Sequence, residues 1–419
     1  MFVGITNTPK DYAWGSPSAI AELLGRRPSG GPEAELWLGA HPLAPSRIVD
    51  PGTAGNFETL DAFIAADPAR ALGPDRTSDT LPFLLKVLAA DQPLSIQAHP
   101  SPEQAREGFA RENAAGVPLD AGHRMYKDEG AKPELVYALS DTFEALAGFR
   151  DLSFTRVLLL ELRTYASVGG DQRDADLLQA LADKLNGTPD AALRRVLEFA
   201  FEGGDEARAT MDAVIRAAGR APSSTSYARE YATLHELAEL HPGDPGILVA
   251  LLMNRVSLPQ GQALYLPSGN IHAYLRGLAI EIMAASDNVL RGGLTGKHVD
   301  TAELQKVVRF EPVPAPLLRA EGGRTGVEVY RPDVPDFLLV RIAVGAAGAE
   351  HGYQLAGEPA EQVPLPGPGI LLALGGTVTV NGRASGTQLR PGEAAFVTPD
   401  EGELEIAGDG IVFLATVNR

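Results

Sequence analysis

The chain has 419 residues, 44% of them hydrophobic and 21% charged, which are globular proportions and exclude a disordered or fibrous protein. A formal charge of −18 at pH 7 sets its overall field against nucleic-acid backbones and anionic membranes, so any phosphorylated ligand needs a local cluster of Lys and Arg. It has no cysteines, which excludes disulfides and thiolate ligands and leaves His, Gln, Asp and Glu to hold any metal.

At about 100–200 residues per domain the length predicts two or three domains. From 1 to 150 the apolar residues fall in short runs bounded by Gly, Pro and Asp, as in Glu35-Leu36-Trp37-Leu38, Phe83 to Leu88 and Glu134 to Ala138. Such runs read as strands. Helical pieces interrupt them, among them Ser18 to Leu24 and the segment after Ser101, where a Ser cap precedes Pro102. Between 151 and 245 the composition turns to Ala, Leu, Arg and Glu. Leu177, Leu178, Leu181 and Leu185, then Leu193, Val196, Leu197, Phe199 and Ala200, recur there at helical spacing. The prolines and glycines of His241 to Gly246 mark the expected return to strands. The stretches 258–267 and 389–399 then share one grammar of Gly turn, alternating strand and Pro. They read as two copies of a cupin-type jelly-roll element, the first within 246–310 and the second within 311–419. Only the first has a His after its Pro; Asp400-Glu401-Gly402-Glu403 stands in its place in the second. No basic-then-apolar leader and no apolar run of about 18 residues occurs, so a cytoplasmic protein is expected.

The residues that carry chemistry stand out against this frame. On a strand, Gln97 and His99 share one face while Ile96 and Ala98 share the other. Glu134 in Lys132-Pro133-Glu134 and His272 after Pro267-Ser268-Gly269-Asn270-Ile271 complete two nitrogens and two oxygens, a set that suits zinc or another borderline divalent ion. If Arg276-Gly277 is a two-residue hairpin turn, Glu281 lies opposite His272. Arg291 to His298 is not a Walker A loop, because Arg stands where its first Gly would be and no Ser or Thr follows Lys297. It offers instead a guanidinium and an ammonium to an anion. Lys132 shares a face of its extended segment with Glu134, and Lys86 interrupts an apolar strand, where it either snorkels or faces a polar pocket. His235 and His241, six apart on a helix, fall on different faces and form no metal motif.

The strings SIQAHP, KPE, YLPSGNIHAYL and EIMAASDNVLRGGLTGKHVD resemble the type I phosphomannose isomerases, and YAWG, ELWLGAHP and LPFLLKVLAADQPLSIQAHP extend the likeness over roughly residues 7–150 and 247–310. The resemblance implies a mainly β, cupin-like double jelly roll with a helical domain, and an isomerase acting on mannose 6-phosphate and fructose 6-phosphate as a monomer with one zinc ion per chain. It implies zinc ligation by Gln97, His99, Glu134 and His272. It also implies catalytic roles for Arg291, Glu281 and Lys132, and substrate contacts from Lys297, Ser95, Lys86 and Trp14. His41 sits in the family-like GAHP string without a chemical argument of its own. One departure is visible: the family's polar Asn-His pair before KPE is Gly130-Ala131 here, so the hydrogen bonds of that pair are missing. An iron-dependent oxygenase of the same fold and a non-catalytic sugar-phosphate sensor are the rival readings; the first ordinarily uses two His and one carboxylate without a Gln.

Overall fold

The computed structural model describes residues 1–324, 326–345 and 361–419. Within them two antiparallel sheets of ten strands and a block of helices make a mainly β, cupin-like fold with a helical insertion. The first sheet contains Glu35–Leu38, Phe83–Ala90, Gln97–Ala98, Glu134–Ala138, Thr142–Phe149, Met253–Pro259, Ala263–Leu266 and the long strand His272–Ala284. The second is built from the last hundred residues, but Phe2–Thr6 also belongs to it, with Phe2 opposite Val397 and Ile5 opposite Ala394.

Period-two alternation organises the first sheet. In Phe83–Ala90 the side chains of Phe83, Leu85, Val87 and Ala89 enter the core shared with the second sheet, among Ile370, Leu372, Phe396 and Phe413. Leu135 and Tyr137 do the same from Glu134–Ala138, as do Ile280 and Ile282 from the long strand. Their neighbours Lys86, Glu134 and Glu281 therefore point the other way.

The long strand corrects one expectation. Arg276-Gly277 is no hairpin turn: His272–Ala284 is a single strand with a register shift between Tyr274 and Arg276, and Gly277 has φ +126°. There the strand leaves Thr142–Phe149 and joins Phe83–Ala90 and Glu134–Ala138. A Cβ on Gly277 would lie 2.9 Å from both Phe143 Cδ2 and Ser140 Oγ, so only Gly fits the corner. His272 and Glu281 are an odd number of residues apart and would face opposite sides of a regular strand; the bulge restores them to one cavity. Glu281 pairs with Lys86 and Val136 rather than with His272, whose partners are Gln97 and Ala147.

Six helices from Leu152–Val168 to Gly246–Leu252 form the insertion, around a core that includes Leu178, Leu181, Leu185, Leu193, Val196 and Leu197. Leu177 and Phe199 only flank it. The strands return at Met253, later than expected, because the fully buried run Gly246–Leu252 is a helix. A short apolar run carries no periodicity that tells helix from strand. Ile96 and Ala98 join this same core, so the strand segment bearing Gln97 and His99 is clamped from behind by the helical block. After it, Ser101 and Gln104 form a capping box that starts the helix Pro102–Ala114. The two jelly-roll copies turn alike, at Gly261 with φ +88° and Gly392 with φ +84°. In the second copy the place of the metal-bearing His is taken by the turn Pro399–Glu401, where buried Glu401 accepts hydrogen bonds from the Ala384 and Ser385 amides.

Candidate active site and metal centre

His99, Glu134 and His272 come together with their ligand atoms all within 4.8 Å of one another, and Glu134 lines a cavity of about 680 Å³. Glu134 Oε1 lies 3.3 Å from His99 Nε2, and Oε2 lies 3.2 Å from His272 Nε2. All three residues are buried, yet neither Nε2 nor Oε2 has a hydrogen-bond partner. The opposite ring nitrogens are engaged: His99 Nδ1 sits 2.7 Å from the Asn288 carbonyl and His272 Nδ1 3.0 Å from that of Asn270. Because a carbonyl only accepts, each ring carries its proton on Nδ1 and turns the Nε2 lone pair inward. Burial pushes the His99 imidazole down to about 4, against the pull of Glu134, which keeps it a neutral donor. Burial works against Glu134 as well, but Lys132 and the two imidazoles hold its carboxyl well below the ordinary range. Two inward lone pairs and a carboxylate oxygen, all buried and unsatisfied, fit a divalent cation such as zinc. Gln97 stands in register between His272 and Arg291 and lines the same cavity.

The cavity also holds Lys86, Lys132, Glu35 and Glu281, each no more than 8% exposed. Lys86 Nζ is 3.0 Å from Glu281 Oε2 and 3.8 Å from Glu35 Oε1, and Lys132 Nζ is 3.2 Å from Glu134 Oε1. Three carboxylates thus face two ammonium groups. Burial raises the Glu281 carboxyl, Lys86 opposes, and Glu134 and Glu35 add to the rise. Lys86 is raised too: burial disfavours its charge, but Glu281 and Glu35 more than compensate.

Arg291 and Lys297 line the same cavity. Burial lowers Arg291, and burial together with Arg291 lowers Lys297; no carboxylate offsets either shift. Half-buried Arg291 and exposed Lys297, with no ion-pair partner among the described residues, offer a receptor for an anion. Their loop is held from the end of the helical block, where Asp244 Oδ1 accepts from Leu294 N at 2.9 Å and Asp244 Oδ2 from Thr295 N at 3.1 Å.

Trp14 lines the cavity, whereas Ser95 is half-buried on the segment leading to Gln97 and is not part of the lining. His298 lies near His123 outside the cavity lining, and His235 and His241 belong to the helical block. Sequence reasoning missed Glu35, Trp37, Tyr274, Lys127 and Asp287, all of which line the cavity. Strand parity could have found Tyr274, two residues beyond His272, and Glu35, whose strand partner Leu88 lies two residues from Lys86. No local signal marks Lys127 or Asp287, which stand on loops. The Gly130-Ala131 departure is bridged by Asp128. Its Oδ1 accepts from Gly130 N and Ser286 Oγ, both at 2.8 Å, its Oδ2 accepts from Asp287 N at 2.9 Å, and Asn288 Nδ2 donates to the Gly130 carbonyl at 2.8 Å.

Comparison with known proteins agrees with this geometry. Residues 2–152 match the model of the phosphomannose isomerase type I catalytic domain. The chain is 36% identical to the mannose-6-phosphate isomerase of Escherichia coli (strain K12) and 37% identical to that of Salmonella typhimurium, with 97% of each chain covered in both cases. A crystal structure of mannose 6-phosphate isomerase bound with zinc and yttrium superposes with a TM-score of 0.84 at 32% identity, covering 100% of both chains.

Proposed function

The chain belongs to the type I phosphomannose isomerases, and we propose that it interconverts D-mannose 6-phosphate and D-fructose 6-phosphate in this cavity, with zinc on Gln97, His99, Glu134 and His272. The observation that supports it most is an unsatisfied His-Glu-His centre whose Glu134 lines the same cavity as Arg291 and Lys297, two cations without an ion-pair partner among the described residues. The first suits sugar hydroxyl and carbonyl oxygens, and the cations suit a developing oxyanion and a phosphate. When bound, the ion supplies Lewis-acid polarisation of those oxygens.

The remaining chemistry falls to the side chains. Isomerisation moves a proton between C1 and C2 through an enediol, so the cavity needs groups that take and return protons and a cation for the developing oxyanion. Glu281, with its raised carboxyl, and Lys132, beside Glu134, are the proton carriers in this reading. Arg291 meets the oxyanion and Lys297 the phosphate. The same reading takes the enzyme as a cytoplasmic monomer; no helix among the described residues is long and apolar enough to cross a membrane.

A coupled assay of zinc-loaded protein with mannose 6-phosphate tests the reaction, and absence of turnover would overturn it. Lys297→Ala should raise KM for the phosphorylated sugar roughly ten- to a hundredfold, the scale of one hydrogen bond to a charged group, and leave kcat nearly unchanged. Equal impairment with unphosphorylated mannose would remove Lys297 from the phosphate. Arg291→Lys keeps the charge and loses the planar fork, so kcat should fall about a hundredfold or more with little change in KM or bound zinc. A large rise in KM at normal kcat would make Arg291 an anchor instead.

A further inference from the structure

His41 is buried, 5% exposed, in the turn that follows Glu35–Leu38, with no part in the metal centre. Its ring packs edge-on against Trp37, with centroids 5.0 Å apart, and its carbonyl accepts from Ala44 N at 3.0 Å. The ring itself is committed on both sides. Leu43 N donates to Nδ1 at 3.3 Å, and since a backbone N–H can only donate, the ring proton sits on Nε2. Nε2 in turn lies 3.3 Å from Oδ2 of Asp287, whose carboxylate lines the cavity. Asp287 is fixed from behind as well, through its amide to Asp128 Oδ2 at 2.9 Å. Burial would raise its carboxyl, but His41, Lys132 and Lys86 together hold it below the ordinary value, so it is an anion in the cavity.

We propose that His41 is a positioning residue for Asp287: the Nε2–H tautomer holds Oδ2 against the cavity wall and leaves Oδ1 to accept a hydroxyl of the sugar. The inference rests on reading the cavity as a sugar-phosphate site. It gives the GAHP histidine a task that neither strand pairing nor metal ligation supplies. A carboxylate on a loop has two rotatable bonds, and a fixed donor on a neighbouring buried turn removes that freedom before substrate arrives.

A double-mutant cycle tests this in the zinc-loaded enzyme, with kcat, KM and zinc content measured for each variant. His41→Phe fills the space of the imidazole without a donor and should lower kcat/KM ten- to a hundredfold at unchanged zinc content, the range for losing one hydrogen bond to a charged group. His41→Gln, which keeps a donor, should recover most of the loss. In an Asp287→Asn background the same His41→Phe change should cost less than about threefold, because the two residues act as one unit. Full losses that multiply in the double variant would overturn the proposal, and so would a fully active His41→Phe or Asp287→Asn. A folded, zinc-bound wild-type chain without action on mannose 6-phosphate would overturn the reading of the cavity itself.

Discussion

Glu134→Ala should leave an enzyme that neither retains zinc nor turns over. The carboxylate lies between His99 and His272 at 3.3 and 3.2 Å, so its removal takes away the anionic member of the centre and leaves two neutral imidazoles and an amide. Such a set binds a divalent cation far more weakly, because the charge that offsets dehydration of the ion is gone. Activity should fall about a thousandfold or more, the scale of losing the several kcal/mol of charge stabilisation that a catalytic ion supplies. Metal analysis after gel filtration gives the first readout, and an assay with added zinc the second. The unmodified protein stripped with a chelator should behave likewise and regain activity with zinc, since its ligands remain in place. A Glu134→Ala protein with one firmly held zinc ion and normal turnover would dissolve the centre as described.

The second large effect concerns stability. Lys86→Met should cost roughly 3–5 kcal/mol at neutral pH, the usual penalty for leaving one half of a buried ion pair uncompensated. Lys86 is the nearest cation to Glu281, at 3.0 Å, and also faces Glu35 at 3.8 Å, with all three residues buried. Without it Glu281 is left beside two other carboxylates. A carboxyl raised in the folded state favours folding when protonated and loses that contribution as pH rises, so the deficit should shrink towards acid. Adding Glu281→Gln should recover much of the loss, because the amide removes the stranded charge. Urea unfolding of the parent, Lys86→Met and the double variant at two pH values decides it; a Lys86→Met protein as stable as the parent would mean that water reaches the pair.

Part of the site was legible beforehand for one reason. Gln97 and His99 against Ile96 and Ala98, and Lys86 against Leu85 and Val87, obey the two-residue period of a strand. What stayed illegible depends on partners distant in the chain. Arg276-Gly277 looked like a turn because local chemistry cannot distinguish a hairpin from a corner where one strand changes partners. Asp287 and Lys127 lie on loops whose course is set by Asp128 and Asn288, and no periodicity reports on a loop. The helix Gly246–Leu252 was missed because seven buried apolar residues carry no face.

The place of Phe2–Thr6 in the second sheet has a consequence for synthesis. This strand is made about four hundred residues before its partner Ala394–Val397. At a translation rate of roughly 5–20 residues per second it waits tens of seconds without that neighbour. Throughout that interval it presents an unpaired edge to whatever else is nascent nearby. Closure of the second sheet therefore waits until Ala394–Val397 has been made.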